Sequence, residues 1–264
     1  MGKGFDKSFP PMRLESRLTI EEKEEIQKAL QRKSKDIAFQ EGFDYKHQNP
    51  YHDKLEEFGQ FVMRDEESEK FQNKWNSDVF KRQAPLCVEI GTGYGHFMLE
   101  YCANNPEINF VGMDYRFKRS FNLARKLAEH PYGNFRYLRA KGERLAFIFG
   151  EAEVDRLFYF FPDPWRKKKH HKKRLFQRPF LEACYKVLKP GGKLYVKTDH
   201  DNYAEWMIEV MNQCELFDIE LATRDLRDEF PEHFLASFQT KFEKIFLKKG
   251  EAIKAFVLTS KKES

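Results

Sequence analysis

One short stretch of the chain holds a carboxylate between two prolines and is followed at once by dense positive charge. Asp163 lies between Pro162 and Pro164, and the nine positions after Trp165 hold seven cations and two histidines. Because proline fixes its own φ and biases the preceding residue towards extended backbone, these prolines predict a rigid, non-helical turn around Asp163. A rigid acid and a flat indole ring beside a cluster of cations indicate a polyanionic ligand that presents a base.

A glycine-rich turn is the second feature that indicates ligand chemistry. Glu89 lies near the end of a short apolar run and is followed by alternating glycines, which let the backbone approach a ligand closely. A dinucleotide fingerprint requires glycine at position 96, which is His96 here, so an NAD site is disfavoured. The next apolar run ends at Asp114, whose carboxylate can accept hydrogen bonds from a ribose. The alternative is a tight turn with an exposed acid and no ligand. The glycines are Gly91, Gly93 and Gly95.

The residues from Pro85 onward predict the scaffold that positions both features. Short apolar runs alternate with amphipathic segments, which predicts an α/β fold with a doubly wound, mostly parallel sheet of seven strands. In such a sheet ligands bind outside the carboxyl ends of the strands, where the glycine turn and Asp163 both fall. The predicted strands are Leu86–Ile90, Asn109–Met113, Phe135–Leu138, Arg156–Phe161, Lys193–Thr198, Phe217–Ala222 and Ala255–Leu258. Helices are predicted at about 96–104, 117–130, 143–149, 174–188 and 201–214.

Residues 1–80 predict a helical N-terminal extension to a domain that spans residues 81–264. Thr19 can cap a helix whose acids come early and whose bases come late, as the helix dipole favours, although its apolar stripe is weak. A second helix is predicted at roughly Asp53–Phe80, with an apolar face that packs on the following domain. The simplest interpretation is that the extension packs over the following domain and has no catalytic role. An RNA contact by its lysines is the alternative.

Composition limits the class of protein. The chain has 264 residues, of which 34% are charged, and a formal net charge of +5. Residues 166–193 hold eleven Lys or Arg and one acid, a net charge of +10, so the remainder carries about −5 and the basic surface is local. The four cysteines form no C-x-x-C pair and no zinc-finger spacing, which predicts reduced thiols and no metal site. Without an apolar leader or a membrane span in the sequence, we expect a soluble, cytoplasmic protein.

The order of strand, glycine turn, helix, second strand and acid resembles the first two motifs of class I S-adenosylmethionine-dependent methyltransferases. The resemblance implies a Rossmann-like fold and S-adenosylmethionine as the cofactor. It implies that Glu89 and the three glycines lie against the methionine end of the cofactor and that Asp114 holds the ribose. Near the end of the third predicted strand this family commonly has an acid or amide that meets the adenine. Lys141 stands there in this chain, so the resemblance implies an adenine contact through the backbone.

The segment after the fourth predicted strand is more specific. Phe160–Trp165, followed by Lys167, the histidine pair and Arg174, closely resembles the signature of tRNA (guanine-N7)-methyltransferases of the TrmB type. The resemblance covers about Val88 to the C-terminus. It implies methylation of N7 of guanine 46 in the variable loop of tRNA, by a monomer or homodimer that needs no obligate partner subunit. Three further motifs follow in the order that the family has: Lys197-Thr198-Asp199, Asn202-Tyr203-Ala204 and Thr240-Lys241-Phe242-Glu243.

The chemistry of guanine N7 agrees with a site that has carboxylates and no general base. N7 carries an in-plane lone pair and no proton, and its methylation puts positive charge on the purine. A carboxylate that accepts from N1–H and N2–H₂ would orient the base and offset that charge as it develops. Asp163 is predicted to be the catalytic residue and to contact the cofactor as well. The predicted substrate-binding residues are Lys167, Asp199, Thr240, Lys241, Phe242 and Glu243.

The basic run after Asp163 is predicted to bind tRNA phosphates. A nuclear-localisation-like tract and a solvated loop are the alternatives for a run of this kind. Trp165 either stacks on a base or braces the loop, and adjacent histidines point apart, so they do not predict a metal pair. The residues of this predicted patch are Arg166, Lys168, Lys169, His170, His171, Lys172, Lys173 and Arg174.

Three positions differ from the family pattern, and none of them removes a predicted carboxylate. Lys141 replaces an acid or amide, Arg166 replaces a proline that is common after the tryptophan, and Ile245 stands where a cation is common. Two other functions stay open from the sequence. One is a methyltransferase that acts on another RNA or on a small base, and the other is a non-catalytic RNA-binding protein on a decayed methyltransferase fold.

Overall fold

The computed structural model of the protein describes residues 14–33, 36–45, 48–130 and 133–263. Within these residues the strands are β1 (Val62–Arg64), β2 (Leu86–Ile90), β3 (Asn109–Asp114), β4 (Phe135–Arg139), β5 (Val154–Phe160), β6 (Leu188–Thr198), β7 (Phe217–Thr223) and β8 (Lys254–Ser260). The helices are α1 (Ile20–Lys33), α2 (Pro50–Lys54), α3 (Glu66–Glu69), α4 (His96–Asn104), α5 (Phe117–Ala128), α6 (Leu145–Ile148), α7 (Arg178–Val187), α8 (Asp201–Asn212), α9 (Leu226–Glu229), α10 (Phe234–Ser237) and α11 (Lys241–Lys248). Short 3₁₀ or π turns occur at Ile37–Phe39, Leu55–Phe58, Trp75–Val79, Gly142–Arg144 and Lys168–Lys173.

The strands form one sheet in the order β1-β4-β3-β2-β5-β6-β8-β7. Neighbours from β1 to β6 are parallel, whereas β8 is antiparallel to both β6 and β7. The chain runs outward from β2 to β3 and β4, and then crosses back to β5 on the other side of β2. The order of strands therefore reverses between β2 and β5, and a crevice for ligands is expected outside their carboxyl ends.

The central strands are buried on both faces, which explains why they are continuous apolar runs in the sequence. Every residue of β2 and β3 is buried, and successive side chains enter two different apolar layers: Val88 belongs to one and Cys87 to the other. The second layer is rich in aromatic rings, with Phe97 centred 5.0 Å from Phe158 and 4.9 Å from Phe160. These packed layers hold the carboxyl ends of β2 and β5 rigidly in place.

All seven strands predicted from residue 86 onward are confirmed, within a few residues at their ends. The eighth strand, β1, comes from the segment that the apolar spacing predicted to be a helix, and the prediction of a helix at Asp53–Phe80 is wrong. The segment instead pairs with the open edge of β4, where Tyr137 N donates to Phe61 O at 2.8 Å and Asp65 N to Arg139 O at 2.9 Å. Since this edge lies far away in the sequence, spacing within the segment could not reveal the pairing.

The first helix, α1, is attached to α8 more firmly than its weak apolar stripe suggested. Ile26 is 3% exposed and Ala29 is 9% exposed. Gln27 Nε2 donates to Gln213 Oε1 at 2.7 Å, next to the C-terminal end of α8. The helix is thus held by two buried apolar residues and a few polar bonds, while Ile20 at its start is 79% exposed.

The cysteines are free thiols, three of them buried, and burial raises the pKa of Cys87 to about 12. In the described ranges, no helix has the length and apolar character needed to cross a bilayer. The same ranges contain no group of three His, Cys, Asp or Glu side chains arranged to hold a metal ion.

Candidate active site

Two adjoining cavities open at the carboxyl ends of β2 and β5, where the strand order predicts a crevice. The larger cavity, of about 550 Å³, extends towards the start of α11, and the smaller one, of about 380 Å³, extends towards the ends of β3 and β4. Residues common to both walls are Gly91, Arg119, Phe160, Phe161, Pro162 and Asp163. The glycine turn and the Asp163 turn lie about 70 residues apart along the chain, and the fold brings them together at one site.

The glycine turn lies along the larger cavity. Gly91, Gly93 and Gly95 have φ values of 85°, 61° and 72°, in the left-handed region that favours glycine. Gly91 and Gly93 line the cavity, and their contact with a ligand stays a prediction. Gly95 lines neither cavity. It caps α4, and a Cβ there would lie 2.6 Å from Leu123 Cδ1, so this glycine is required for packing rather than for ligand contact.

Glu89 is a buried carboxyl that faces the larger cavity. Its side chain is among the lining groups, the residue is only 4% exposed, and burial raises its pKa to about 8. Within the described part of the chain, its Oε2 atom is buried and has no hydrogen-bond partner. A buried acceptor without a partner costs free energy, and a ligand that brings positive charge or a donor to this point would remove that cost.

Asp114 lines the smaller cavity and accepts hydrogen bonds from both sides of the turn. Its Oδ2 accepts from Gly93 N at 3.0 Å and from Arg119 at 3.3 Å, while its Oδ1 accepts from Arg116 N at 2.9 Å. An ionised carboxylate has about four lone-pair sites, so capacity for one more donor remains. Asp114 can therefore bind a hydroxyl while it holds the glycine turn.

Arg116 and Arg119 are site residues that the sequence analysis missed. Arg119 lines both cavities, and Arg116 NH2 lies 3.5 Å from Asp163 Oδ2. A weak signal was available, because α5 has no acid in its first turn and begins with cations, against the preference set by the helix dipole. Cations at that end of a helix indicate nearby acids, which here are Asp114 and Asp163.

The turn around Asp163 is non-helical, as its two prolines predicted, and its backbone is strained on both sides. Phe161 has φ 50° and Trp165 has φ 46°, and each such non-glycine residue costs of the order of 1 kcal/mol or more. The turn presents Asp163 with its side chain 67% exposed, on the wall that the two cavities share. The chain thus holds this carboxylate at the mouth of the site rather than burying it.

The far wall of the larger cavity combines a second carboxyl with a row of aromatic rings. Asp199 lines this wall after β6, and burial raises its pKa. Phe242 is 48% exposed and stacks on Phe246 with ring centroids 6.5 Å apart, and Phe246 lies 6.0 Å from Phe161. Phe246 and Tyr94, which also lines the cavity, were not predicted as site residues. The other predicted substrate-binding residues on this wall are Thr240 and Lys241.

Glu243 does not line the cavity in this structure, and its predicted contact with a base stays a prediction. The side chain is fully buried, with Oε2 2.6 Å from Lys197 Nζ and Oε1 2.9 Å from Arg227. Both oxygens are occupied, and Thr240 Oγ1 accepts from Glu243 N at 3.1 Å to cap α11. Since Lys197 lies on β6, its pair with Glu243 anchors the start of α11 to the sheet, and Lys197 also donates to Phe238 O just before that helix.

The basic run forms a turn, Lys167–Lys173, that we call the basic turn. Arg166 and all five lysines of the turn are exposed, and Lys167 precedes the 3₁₀ segment without lining either cavity. Trp165 is braced by this turn, with Lys173 Nζ 4.7 Å from its ring and His170 packed edge-on at 6.0 Å. The exposed members of the predicted patch are Arg166, Lys168, Lys169, Lys172 and Lys173.

Two residues of the predicted patch add no exposed charge to it: Arg174 is buried and His171 is half-buried. Arg174 is 1% exposed, donates to Pro164 O at 2.9 Å and to Asn202 Oδ1 at 2.8 Å, and stacks on Trp206 at 4.9 Å. The Arg174 guanidinium is therefore buried in this structure and ties the basic turn to the Asp163 turn, and its predicted contact with RNA stays a prediction. His171 packs on Trp206, and burial lowers its pKa to about 4, so it is neutral and adds no charge to the patch.

Lys141 lines neither cavity with its side chain. Its Nζ lies 4.7 Å from the centroid of the Phe43 ring and 5.1 Å from that of Tyr115. The ammonium group is thus held by aromatic faces, one of them from the N-terminal extension. Its neighbours Ala140, Gly142 and Glu143 line the smaller cavity instead.

Comparisons with known proteins bear on the family and on the fold. Residues 83–256 match the model of a family described as "putative methyltransferase". A tRNA (guanine-N(7)-)-methyltransferase of Enterococcus faecalis is 34% identical over 199 residues, which cover 75% of this chain and 90% of that protein. A protein of the same name from Pseudomonas aeruginosa is 42% identical over 135 residues, which cover 51% of this chain and 55% of that protein.

The fold is also similar to a solved structure, that of the 16S rRNA methyltransferase KamB. The TM-score is 0.51 at 16% identity, over 69% of this chain and 92% of that one, so this likeness bears on the fold alone. The sequence relatives and the family model bear on the family, and residues 83–256, which match the model, contain both the glycine turn and the Asp163 turn. The chain belongs to the TrmB-type family of tRNA (guanine-N7)-methyltransferases.

Proposed function

We propose that this protein transfers a methyl group from S-adenosylmethionine to N7 of guanine 46 in the variable loop of tRNA. One observation carries the proposal: Asp163 lies, largely exposed, on the wall between two cavities, and a buried acid faces one of them. A methyl transferase needs a donor pocket and an acceptor pocket that meet at the transferred group. The two cavities of this site share the wall on which Asp163 lies, so they adjoin at that carboxylate.

The residues present fit S-adenosylmethionine. The orphaned Oε2 of Glu89 suits a cationic group, Gly91 and Gly93 leave room for close backbone approach, and Asp114 retains a lone pair for a ribose hydroxyl. When bound, this cofactor supplies an electrophilic methyl group on a sulfonium. Glu89 would offset the positive charge at the larger cavity, while Asp114 and Arg119 hold the turn in place.

The acceptor guanine is assigned to the larger cavity. Phe242 and Phe246 offer a stacked apolar wall for a flat base, and Asp163 and Asp199 lie on the same lining. A carboxylate that accepts from N1–H and N2–H₂ orients the purine and offsets the positive charge that N7 methylation creates. No proton has to leave N7. Catalysis therefore depends on charge and on holding the reacting atoms in line, and no general base is required.

Exposed cations beside the cavity mouth are assigned to the tRNA backbone. The basic turn follows the Asp163 turn directly, and Arg174 fastens the two together through Pro164 O. Phosphates bound by the lysines would therefore be held at a set position relative to the catalytic carboxylate. Contacts of this kind position the nucleic acid without reading its sequence.

The test is methyl transfer from labelled S-adenosylmethionine to unmodified tRNA, followed by nuclease digestion and mass spectrometry of the nucleosides. The proposal expects 7-methylguanosine as the product, in the fragment that contains the variable loop. A product methylated on another base or on another atom would contradict it. Transfer to ribosomal RNA but not to tRNA would also contradict it, and it would favour a methyltransferase with a different RNA substrate.

A further inference from the structure

A third cleft opens between helix α1 and the basic turn, outside the two cavities of the candidate site. Its volume is about 200 Å³. No function described so far uses α1, although one wall of the cleft consists of basic-turn lysines that are assigned to the tRNA backbone. The lining residues are Glu25, Lys28, Ala29, Lys168, Lys169, His171 and Lys172.

Packing beneath the cleft fixes its two walls relative to each other. Ile26 of α1 is 3% exposed and faces a narrow gap that His171 and Trp206 also line. His171 packs edge-on against Trp206, with ring centroids 5.8 Å apart, and Arg174 anchors the end of the basic turn. The lysines of the two walls therefore face one another across a defined space.

The charge of the cleft is strongly unbalanced. Four lysines line it and only one acid, Glu25, so the net charge is +3. Glu25 Oε1 lies 3.2 Å from Lys168 Nζ, and both side chains are well exposed. An exposed pair of this kind contributes little to stability, since water screens it. Lys28 Nζ lies 3.9 Å from Glu24 Oε2 in a second exposed pair of the same weak kind, so both acids can be displaced by a phosphate at small cost.

We propose that this cleft is a second phosphate-binding site for the tRNA backbone, in which α1 contributes Lys28 and Glu25 occupies the place of a phosphate until RNA binds. The inference rests on the proposed function, because it assumes that tRNA is the substrate. It gives the N-terminal helix a part in substrate binding, separate from the chemistry at Asp163. A phosphate that enters the cleft takes over Lys168 from Glu25 and gains Lys28, Lys169 and Lys172.

This arrangement predicts opposite effects for two neighbouring residues of one helix. Glu25→Gln removes the internal competitor and should tighten tRNA binding about three- to fivefold at physiological salt. Lys28→Gln removes a phosphate contact, so it should weaken binding and lower the slope of log K against log salt by about 0.7 to 0.9. A purely structural role for α1 cannot produce affinity changes of opposite sign while the fold stays intact.

The experiment is a salt series of tRNA binding, measured by fluorescence anisotropy on the full-length protein and its variants. Lys23→Gln is the matched control, because Lys23 lies on the same helix but pairs with Glu209 at 3.6 Å and does not line the cleft. Its affinity and salt slope should match the wild type. Thermal melting of each variant checks that α1 remains folded onto α8.

Tighter binding by Glu25→Gln together with a lower salt slope for Lys28→Gln would support the proposal. If Glu25→Gln binds no tighter than the wild type, or if Lys28→Gln has the same slope as Lys23→Gln, the cleft does not hold a phosphate. Failure of the proposed function has a different signature: the wild type itself would neither bind nor methylate tRNA, whatever the variants do.

Discussion

Two carboxylates that the sequence presented alike, Asp163 and Glu243, lie in opposite environments. Asp163 is on a strained turn between two prolines, with its side chain 67% exposed and one exposed arginine 3.5 Å away. Glu243 is fully buried, and Lys197 and Arg227 occupy its two oxygens. Both lie in motifs that are similar to those of the same family, yet of the two only Asp163 lines a cavity in this structure.

The difference separates two roles that acids have in this site. A carboxylate that must respond to charge developing on a substrate has to lie at the cavity wall, even though the turn that holds it is strained. A carboxylate that is paired with a buried lysine contributes by fixing position, and its removal leaves an uncompensated charge in the core. We therefore expect Asp163 to affect rate and Glu243 to affect stability.

The largest effect is expected for Glu243→Ala. Removing this side chain leaves Lys197 buried without its carboxylate, which should lower the free energy of unfolding by about 3–5 kcal/mol. Urea denaturation measures this change. Glu182→Ala is the control, because Glu182 pairs with Arg178 at the surface, and its loss should cost less than about 1 kcal/mol. Equal losses in the two variants would contradict the structural role of Glu243.

Asp163→Asn should have the opposite profile. Its carboxylate is exposed, so the free energy of unfolding should change by less than about 0.5 kcal/mol. Turnover of methyl transfer should fall about 10²- to 10³-fold, because the charge that offsets the purinium is lost. Steady-state kinetics at saturating tRNA measure the rate. A variant that keeps wild-type turnover would remove Asp163 from the mechanism.

A smaller effect is expected at the basic turn. Changing Lys167, Lys168 and Lys169 together to Gln should weaken tRNA binding and lower its salt slope by about 2 to 3, because each phosphate contact contributes about 0.7 to 0.9. Turnover at saturating tRNA should stay close to the wild-type value. The double variant Lys74→Gln, Lys81→Gln, before β2, serves as the control. An unchanged slope in the triple variant would mean that these lysines are only solvated.

The smallest expected effect is the release of a proton from Glu89 when S-adenosylmethionine binds. Its pKa of about 8 lies above the ordinary value of 4.5, so the carboxyl is mostly protonated at pH 7 in the free protein. A cationic ligand favours the ionised form and lowers this pKa, so binding should release up to one proton at pH 7 and almost none well above pH 8. Calorimetry of S-adenosylmethionine in buffers of different ionisation enthalpy counts the protons. Glu89→Gln should release none, and proton release that persists in that variant would assign it to another group.

The elements that the sequence predicted well are those whose pattern is local. Leu86–Ile90 and the other central strands are continuous apolar runs because both faces are buried, and the glycine turn needs a backbone that only glycine adopts easily. Proline likewise revealed the turn at Asp163. In each case the burial or the backbone conformation restricts which residue types can occupy those positions, so it can be predicted from the local sequence.

The features that escaped prediction depend on contacts between distant parts of the chain. β1 pairs with an edge more than 70 residues away, and its apolar spacing fitted a helix equally well. Burial of Glu243 depends on Lys197, and burial of Arg174 depends on Trp206 and Asn202. A charged residue next to a functional motif has the same appearance whether it faces a ligand or the core. Whether the residue is buried depends on the partner that it finds, and that partner is known only from the fold.

The central claim is that the methyl group goes to guanine N7, and replacing that one atom tests it most directly. A tRNA with 7-deazaguanine at position 46 of the variable loop keeps the N1–H and N2–H₂ donors but has a C–H group in place of the N7 lone pair. This tRNA should bind with nearly unchanged affinity and accept no methyl group at that position. Methyl transfer to the 7-deazaguanine nucleotide at the rate of the normal tRNA would contradict it.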